Sequence, residues 1–442
     1  MKELEDFLTG RIWLRDFTPF PKEAIEQAIM DGFISVQRGI TDELQCARCL
    51  ESAPDRIISF HCAKCEGQCY YCRHCIRMGR VSSCTDLITW KYPHAISPYS
   101  HSFSWNGELT NLQQQVSDEL AESLRLNKSH LVYAVCGAGK TELLFPPLHR
   151  ALSQGKRVCI AAPRTDVVLE LSPRLKAVFP DLIIHTLYGG STVEKGFAQL
   201  VMATTHQLYR FDRAFDLVIV DEADAFPYSY DPALARAVSK SLKPGAPIIY
   251  VSATPSRKLL ESVPNQSKIF RRFHGQPLPV PIYRPLWNYK RWFRSNRIPP
   301  KLAEWIQLKL QRKEPFMLFF PTIEMIRQAE PLFKEMDSRI QAVHSKDEDR
   351  KEKVMKLRRG EIPGILTSTI LERGVTIENV QVGIVGADEE IFESSALIQM
   401  AGRAGRSHAF PEGEVIFFHN GISWEMDKAK NLIKSFNREG GR

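Results

Sequence analysis

The sequence lacks any apolar run long enough to cross a membrane. Its first ten residues, MKELEDFLTG, carry acidic side chains and have no apolar signal core. We therefore expect no direct membrane span and no secretion signal, and we predict a cytoplasmic protein. Low-complexity tracts are also missing. The composition, with 43% hydrophobic and 25% charged residues, is typical of a folded globular protein. A length of 442 residues predicts two or three domains.

Neither sign of charge dominates strongly, since 59 Lys and Arg residues stand against 51 Asp and Glu residues. The net charge of +8 suits a partner with a phosphate backbone but does not establish one. Basic residues are concentrated between Arg271 and Lys313. The aromatic residues interleaved with them are Trp287, Tyr289, Trp292 and Phe293. This pattern is typical of single-strand binding, but core packing at the start of a second domain explains it equally well.

Cysteine is scarce outside the short region from Cys46 to Cys84. Of ten cysteines, only Cys136 and Cys159 lie beyond it, and the spacing of the others is dominated by repeated Cys-x2-Cys pairs. In a cytoplasmic chain this clustering predicts metal ligation rather than disulfides. Two such pairs complete one tetrahedral zinc site, so the cysteines suffice for two sites. The predicted metal ligands are Cys46, Cys49, Cys62, Cys65, Cys69, Cys72, Cys75 and Cys84.

The pairing of these cysteines stays open, because Cys72 can join either Cys69 or Cys75. An iron–sulfur cluster is the main alternative to zinc, since thiolates also hold such clusters. Metal binding and folding are coupled in small modules of this kind. We therefore expect replacement of Cys46 or Cys62 by Ser to unfold residues 42–88 and to leave the rest of the chain folded.

The pattern of apolar runs divides the chain into four parts. Residues 1–41 are predicted to be a helical lead-in and residues 42–88 a cysteine-rich zinc module. Residues 89–280 and 281–442 each alternate short β-rich runs with helical segments, which predicts parallel sheets with crossover helices. The predicted fold class is therefore α/β, in two lobes behind a small metal-binding module. Prolines between Gln276 and Pro285 suggest a hinge.

A phosphate-binding loop is predicted where the apolar run LVYAV leads into CGAGKT. Glycines let the backbone N–H groups close around phosphates, and Lys140 is expected to pair with the β- and γ-phosphates of ATP. Thr141 is expected to hold Mg²⁺. Ala134 replaces the first glycine of the general pattern. The predicted nucleotide-binding residues of this loop are Gly137, Ala138, Gly139, Lys140 and Thr141.

A pair of carboxylates follows the apolar run DLVIVD, some 80 residues after the loop. Side chains just past the carboxyl end of a parallel strand lie beside the nucleotide cleft. Asp221 is predicted to bind Mg²⁺, mostly through water. Glu222 is predicted to orient and polarise the attacking water. The sequence thus predicts ATP hydrolysis assisted by Mg²⁺.

Ordered motifs between Gly107 and His419 resemble those of superfamily-two helicases and translocases, whose fold is two RecA-like lobes. They include DEAD from Asp221, SATP from Ser252 and QMAGRAGR from Gln399. The resemblance implies that Gln113 reads adenine, that Gly374 contacts the nucleotide, and that Ser252, Thr254 and Gln399 couple hydrolysis to lobe motion. It also implies DNA contacts at Pro163, Arg164, Thr165, Thr204, Thr205, Thr322, Thr367 and Ser368.

Two arginines complete the predicted catalytic set. Gln399, Arg403 and Arg406 have the spacing of one helix face, and such arginines can stabilise the transition state of phosphoryl transfer by ~10³–10⁵ in rate. The motif TSTILERG departs from that of DEAD-box RNA helicases, because Val375 and Thr376 follow it where those proteins carry an Asp. This departure argues against an RNA helicase.

The cysteine module in front of the motor motifs resembles the ComFA family of late competence proteins. The resemblance implies an ATP-driven single-stranded DNA translocase that assists DNA uptake at the inner face of the cell membrane. Its implied partners are single-stranded DNA, a membrane DNA-uptake channel and other competence proteins, and its implied cofactors are ATP, Mg²⁺ and Zn²⁺. A duplex-unwinding helicase of the replication-restart or recombination type is an alternative. A nucleotide-switched DNA-binding scaffold is another.

Overall fold

The computed structural model describes residues 1–92, 96–345, 347–371 and 377–441. These residues form two compact units. One comprises Met1–Val132 with Thr141–Ser267, and the other comprises Tyr133–Lys140 with Lys268–Arg442. Each contains an α/β lobe built on a parallel sheet, which confirms the predicted fold class. In the described part of the chain, no helix is both long and apolar enough to span a bilayer.

The amino-terminal segment combines helices with a small antiparallel sheet, ordered β1-β5-β2. The strand β5 comes from beyond the cysteine region, so the sheet joins residues on both sides of it. Phe7 packs its ring against Trp13 and Phe20 in the core of this segment. These strands were not predicted from the apolar pattern, which indicated a helical lead-in. The elements are α1 (Lys2–Leu8), β1 (Trp13–Leu14), α2 (Lys22–Met30), β2 (Ile34–Arg38), β3 (Ile57–Cys62), β4 (Gly67–Cys72) and β5 (Asp86–Trp90).

The first lobe is a sheet in the order β12-β6-β11-β10-β7-β9-β8. Its strands are buried along almost their whole length, because helices cover both faces of a parallel sheet. The β-rich runs LVYAV, RVCIAA, LVMATT, DLVIVD and IIYVSA are found as β6, β7, β9, β10 and β11, and β8 and β12 are additional. The elements are α3 (Asn111–Arg125), β6 (His130–Ala134), α4 (Phe145–Ser153), β7 (Val158–Ala162), α5 (Thr165–Val178), β8 (Ile184–Leu187), β9 (Leu200–Thr204), β10 (Leu217–Asp221), α6 (Pro232–Ser241), β11 (Ile248–Ser252), α7 (Arg257–Ser262) and β12 (Gln266–Ile269).

The second lobe is a parallel sheet in the order β13-β18-β17-β14-β16-β15. The β-rich runs FMLFFP, IQAVHS, GILTST, VGIVGA and EVIFFH are found as β14, β15, β16, β17 and β18. Part of the proline-rich segment predicted as a hinge is the edge strand β13, where a missing N–H is tolerated. The elements are β13 (Ile282–Pro285), α8 (Tyr289–Arg294), α9 (Pro300–Arg312), β14 (Phe316–Phe319), α10 (Ile323–Met336), β15 (Gln341–Val343), α11 (Arg350–Arg358), β16 (Gly364–Thr367), β17 (Gln381–Val385), α12 (Ser394–Ala401), β18 (Val415–His419) and α13 (Trp424–Gly440).

The basic aromatic stretch divides between surface and core. Tyr289 and Phe293 are 1% exposed and pack in the core of the second lobe, as the packing alternative predicts. The hydroxyl of Tyr289 donates to Glu389 at 2.5 Å. Trp287 is 63% exposed, and Arg291 and Arg294 on α8 are exposed as well. Only part of this stretch is therefore available to a ligand.

Candidate functional site

The loop after β6 has the backbone conformation that a phosphate-binding turn requires. Gly137 and Gly139 have φ angles of 82° and 74°, in the left-handed region that glycine adopts without steric cost. The N–H of Ala138 donates to the carbonyl of Val135 at 3.2 Å and tightens the turn. Lys140 is half-buried. Successive glycines of this kind form a concave backbone that binds phosphate oxygens.

The loop Tyr133–Lys140 and the QMAGRAGR segment belong to the same compact unit, and they pack against each other. The thiol of Cys136 donates to Oε1 of Gln399 at 2.8 Å. A Cβ added at Gly402 would lie 2.5 Å from Cβ of Cys136, so a side chain there would collide with the loop. A Cβ added at Gly137 would lie 3.8 Å from Cγ of Arg406. Gln399 and Arg406 therefore lie beside the predicted phosphate-binding turn.

The prediction that Gln399, Arg403 and Arg406 share one helix face is wrong. Helix α12 ends at Ala401, so the two arginines lie beyond it. The glycines of the motif cause this ending, because they disfavour helix and Gly405 adopts a positive φ of 63°. Arg403 is buried, with 5% of its surface exposed, and Arg406 is half-buried.

Arg272 holds the arginine-bearing turn in place, and the sequence analysis did not single it out. Its guanidinium is 2% exposed and donates to the carbonyls of Ala404, at 2.8 Å, and Gly405. Burial lowers the pKa of Arg272 to about 10, which leaves it protonated at neutral pH. No local sequence signal separates Arg272 from the neighbouring Arg271, because its partners lie more than 130 residues away.

The two predicted catalytic carboxylates follow directly from a buried strand. Asp221 ends β10, and its Oδ1 accepts a hydrogen bond from the N–H of Glu222 at 2.9 Å. Glu222 adopts a φ of 54°, in the left-handed region. This conformation costs a residue with a Cβ about 1–2 kcal/mol, and such strain is concentrated at functional sites.

Asp224 connects the DEAD segment to the SATP segment. Its Oδ1 accepts a hydrogen bond from Oγ of Ser252, and its Oδ2 accepts one from Oγ1 of Thr254, each at 2.7 Å. Ser252 is fully buried, and its oxygen also accepts from the N–H of Thr254 at 3.2 Å. Both predicted coupling hydroxyls therefore bind one carboxylate, three residues after Asp221. Asp224 had no predicted role, although the DEAD motif contains it.

The remaining predicted nucleotide contacts receive different degrees of support. Gln113 is 5% exposed and forms a capping box at the start of α3, where its Oε1 accepts from the N–H of Thr110 at 2.8 Å. Its amide thus stabilises a helix end as well as being a candidate adenine contact. Gly374 lies outside the described residues.

The predicted DNA contacts differ in accessibility. Pro163, Thr204, Thr205 and Thr367 are buried. The hydroxyl of Thr367 donates to the carbonyl of Val343 at 2.9 Å, so it serves the sheet. Thr322 is exposed and accepts from the N–H of Met325 as the cap of α10, while Arg164, Thr165 and Ser368 are half-buried. The accessible predicted DNA contacts are therefore Arg164, Thr165, Thr322 and Ser368.

In the described chain, the predicted metal-binding cysteines form two groups of four. Within each group the ligand atoms all lie within 4.8 Å of one another. One group is Cys46, Cys49, Cys72 and Cys75, and the other is Cys62, Cys65, Cys69 and Cys84. The structure thereby resolves the pairing that the sequence left open, since Cys72 joins Cys75. We call these the inner and the outer cysteine group.

The sulfur separations fit a single tetrahedral ion. Zinc–sulfur bonds of about 2.3 Å place tetrahedral sulfurs about 3.8 Å apart. The closest contacts are 3.8 Å for Cys46–Cys75, 3.5 Å for Cys49–Cys72 and 3.7 Å for Cys62–Cys84. A disulfide requires about 2.05 Å, so these thiols are not bonded to one another. Thiolates that each ligate a different iron of a cluster stand farther apart than thiolates that share one ion.

Comparisons with known proteins agree with this architecture. The family described as competence protein ComFA N-terminal domain matches residues 1–89. The DEAD/DEAH box helicase family matches residues 110–262, and the helicase conserved C-terminal domain matches residues 300–408. Competence protein ComFA of Bacillus subtilis (strain 168) is 42% identical over 443 residues, which cover 99% of this chain and 95% of the relative.

The chain belongs to the competence protein ComFA family. A second ComFA, from Streptococcus pneumoniae, is 40% identical over 381 residues, covering 84% of this chain and 87% of the relative. With its DEAD and helicase C-terminal domains, this ComFA-family chain is an ATP-hydrolysing enzyme of the helicase type that acts in competence. Helicase domains imply ATP and Mg²⁺ as its cofactors.

Solved structures show the same fold. The S. cerevisiae Dbp5 structure bound to RNA and ADP BeF3 aligns with a TM-score of 0.56 and 16% identity, covering 76% of this chain and 88% of that chain. RecG bound to a three-way DNA junction aligns with a TM-score of 0.52 and 17% identity, covering 76% and 46% respectively. The two parallel-sheet lobes of this ComFA-family chain are therefore RecA-like.

Proposed function

We propose that this ComFA-family ATPase is a single-stranded DNA translocase driven by ATP and stimulated by DNA. The observation that carries the proposal is the pair of hydrogen bonds from Ser252 and Thr254 to Asp224. They connect the segment of the catalytic carboxylates to a second motif of the same lobe. A change at the nucleotide can thus move a segment that does not itself carry the reaction, as a motor requires.

The proposed chemistry uses the residues that the sequence motifs predict. The glycine turn and Lys140 bind the phosphates, and Thr141 and Asp221 hold Mg²⁺. Glu222 orients the attacking water, while Arg403 and Arg406 stabilise the charge that develops on the transferred phosphoryl group. The nucleotide base is read by Gln113, with Gly374 as a further contact. Bound Mg²⁺ supplies charge neutralisation between the phosphates.

The proposed DNA surface consists of cations beside an exposed aromatic ring. On α8, Arg291 and Arg294 are exposed, and the adjacent Trp287 offers a ring on which a base can stack. Within the predicted motifs, Arg164 and Thr165 of the first lobe and Thr322 and Ser368 of the second lobe are further accessible donors, each on its own lobe. Such a surface reads the backbone and the flat face of a base, so we expect little sequence preference.

We further propose that zinc occupies both cysteine groups. Thiolates in tetrahedral arrangement are the usual ligands of structural zinc. Elemental analysis of purified protein is expected to give about two zinc ions per chain. Iron with visible absorbance, or no zinc, would contradict this part of the proposal.

The proposed setting is the cytoplasmic face of the cell membrane, beside a DNA-uptake channel and other competence proteins. The support is membership of the ComFA family. A duplex-unwinding helicase remains the second candidate function, favoured by the match to the helicase C-terminal domain.

The deciding experiment measures ATP hydrolysis with single-stranded DNA, blunt duplex DNA and RNA at equal nucleotide concentration. A translocase of this kind is expected to be stimulated most strongly by single-stranded DNA. Equal stimulation by duplex DNA together with strand separation would favour the helicase. Tight ATP binding with hydrolysis that no nucleic acid stimulates would favour a nucleotide-switched scaffold.

A further inference from the structure

The two cysteine groups lie in different surroundings. All members of the inner group are at most 2% exposed. In the outer group Cys65 is exposed and Cys84 is half-exposed, and both Cys62 and Cys69 lie on the hairpin formed by β3 and β4. A metal ion in the outer group is therefore open to solvent on one side, whereas one in the inner group is enclosed.

The inner group belongs to the hydrophobic core of the first lobe. Its cysteines share one continuous cluster of buried side chains with residues of that lobe, among them Leu208, Tyr209, Phe211, Ala233 and Leu234. The buried members of that cluster include none of the outer cysteines, among the residues the structure describes. The metal ligands of the inner group thus pack directly against the motor.

Hydrogen bonds reinforce this packing. Nε2 of His74 lies 2.7 Å from the hydroxyl of Tyr209, and the two rings meet edge to face. Nζ of Lys240 donates to the carbonyl of Arg48 at 2.9 Å, and Arg236 forms an ion pair with Glu51 at 3.1 Å.

Arg48 extends these contacts into the loop that carries the inner cysteines. It is 3% exposed, and its guanidinium donates to the carbonyls of Cys75, at 2.7 Å, Met78 and Gly79. Because it lies between Cys46 and Cys49, it fixes the position of both halves of the inner group relative to each other. Lys240 then ties the backbone of this residue to α6.

The attachment points lie next to two functional motifs. Tyr209 belongs to the 3₁₀ turn Thr205–Arg210, which continues directly from β9 and the predicted DNA-contact motif at Thr204. Arg236 and Lys240 belong to α6, the first α-helix after the DEAD segment. The inner group is therefore fastened to the elements that follow both motifs.

We propose that the two metal ions have different roles. The inner ion is a structural part of the first lobe, positions the 3₁₀ turn and α6, and is required for a stable motor. The outer ion stabilises the β3–β4 hairpin and is dispensable for the motor. This inference rests on the proposed zinc occupancy, which is measured separately. It differs from the expectation that the motor stays folded after loss of Cys46 as well as after loss of Cys62.

Stepwise removal of metal from the intact protein tests the proposal. A zinc-selective chelator is titrated in the presence of excess Mg²⁺ while zinc release, ATP hydrolysis and thermal unfolding are followed. The unfolding transition of the motor is identified as the one whose temperature rises when a non-hydrolysable ATP analogue binds. The exposed outer ion is expected to leave first, without change in hydrolysis or in the motor transition. Release of the inner ion should abolish hydrolysis and lower that transition.

A matched pair of variants provides the second arm. Cys49→Ser removes one inner ligand and Cys65→Ser removes one outer ligand by the same chemical change. Each is expected to retain about one zinc ion. Cys65→Ser should keep the motor transition and basal hydrolysis, and Cys49→Ser should lose both or fail to fold.

The outcomes separate the two proposals. Absence of zinc from the purified wild-type protein would refute zinc occupancy itself. A second case is a wild-type protein that holds two zinc ions. If Cys49→Ser then has an unchanged motor transition, or if both variants have equal effects, the division of roles is overturned and zinc occupancy stands. Release of both ions in one phase, together with loss of hydrolysis, would overturn it as well.

Discussion

Two predicted catalytic side chains, Lys140 and Glu222, are expected to act on different steps of the ATPase reaction. Lys140 follows two glycines held at positive φ, and Glu222 follows a buried strand in a strained backbone conformation. A lysine at this place acts on phosphates already in the bound state, whereas a carboxylate that orients water acts on the chemical step. The two residues are therefore expected to fail in different ways when replaced.

We predict that Lys140→Ala abolishes hydrolysis, because the phosphates lose their charge partner. Glu222→Gln should bind ATP normally and lower kcat by two orders of magnitude or more, on the order of the effect of losing a general base. Equilibrium nucleotide binding and steady-state hydrolysis distinguish the two. Glu261→Gln, on the exposed side of the same lobe, is the matched control. A normal rate in Glu222→Gln would show that another group positions the water.

The hydrogen bonds from Ser252 and Thr254 to Asp224 lead to a separate prediction at the residue scale. Replacing Ser252 and Thr254 by Ala removes both hydroxyl donors to the carboxylate. Each hydrogen bond to a charged group contributes about 1.5–3 kcal/mol. We expect the double variant to bind ATP and hydrolyse it slowly, with loss of stimulation by single-stranded DNA. Normal stimulation by single-stranded DNA would show that these hydroxyls do not couple the two segments. Ser256→Ala is the control on the same loop.

At the scale of elements, the amino-terminal segment is bound to the first lobe by buried arginines. Arg157 is 3% exposed and donates to the carbonyl of Thr9 at 2.8 Å and to that of Ala198 at 3.1 Å. Nη2 of Arg11 donates to Nδ1 of His185 at 3.1 Å. Arginine only donates, so His185 must accept through an unprotonated Nδ1.

The ring of His185 gives the lobe a defined sensitivity to acid. Burial, followed by the charges of Arg11 and Arg157, lowers the pKa of His185 to about 4. The unfolded chain binds this proton near its ordinary pKa of about 6.5. Above that pH neither state is protonated. As the pH falls from about 6.5 to about 4, only the unfolded state gains the proton, so stability decreases across that window.

We predict that the unfolding temperature of the first lobe falls between about pH 7 and about pH 5, and that His185→Gln falls less steeply. Thermal unfolding followed by calorimetry at several pH values measures both slopes. His408→Gln, which changes an exposed histidine, should keep the wild-type slope. If His185→Gln and wild type have the same slope, protonation of this ring does not control acid stability.

At the scale of the whole molecule, charge favours contact with a nucleic-acid backbone over reading of bases. The net charge is +8, and cations such as Arg291 and Arg294 are exposed. Backbone contacts release counterions, so the affinity that they provide falls steeply with salt. Stepping along one strand needs such contacts alone, whereas unwinding also needs a wedge that splits the duplex.

We predict salt-sensitive stimulation by single-stranded DNA and weak unwinding of blunt duplexes. If Arg164, Arg291 and Arg294 each neutralise one phosphate, a fourfold rise in salt lowers affinity about 20-fold. Arg291→Ala combined with Arg294→Ala should reduce the slope of log affinity against log salt by about 1.4. Fluorescence anisotropy with a labelled oligonucleotide measures this, with Arg257→Ala as an exposed control. Efficient strand separation by the purified chain would instead establish a helicase.

Local patterns were enough to predict the two lobes and the backbone conformation of the predicted phosphate-binding turn. LVIVD is a continuous apolar run and is found as the buried strand β10, and the glycines of CGAGKT adopt the positive φ that the motif demands. Such features depend on neighbouring residues only, because backbone sterics and burial of a strand act over a few positions. Gly402 also indicates, from local sequence alone, that α12 ends at Ala401. The prediction gave more weight to the helical spacing of the motif.

Other features depended on chain segments that meet only after folding. The sequence was enough to predict that the cysteines in Cys-x2-Cys pairs bind metal, because adjacent thiols on a turn can share an ion. Only the tertiary structure decided that Cys72 pairs with Cys75, that the inner group is part of the core of the first lobe, and that Arg272 supports the turn at Gly405. These outcomes follow from contacts between residues far apart in the chain, whose partners local spacing does not specify.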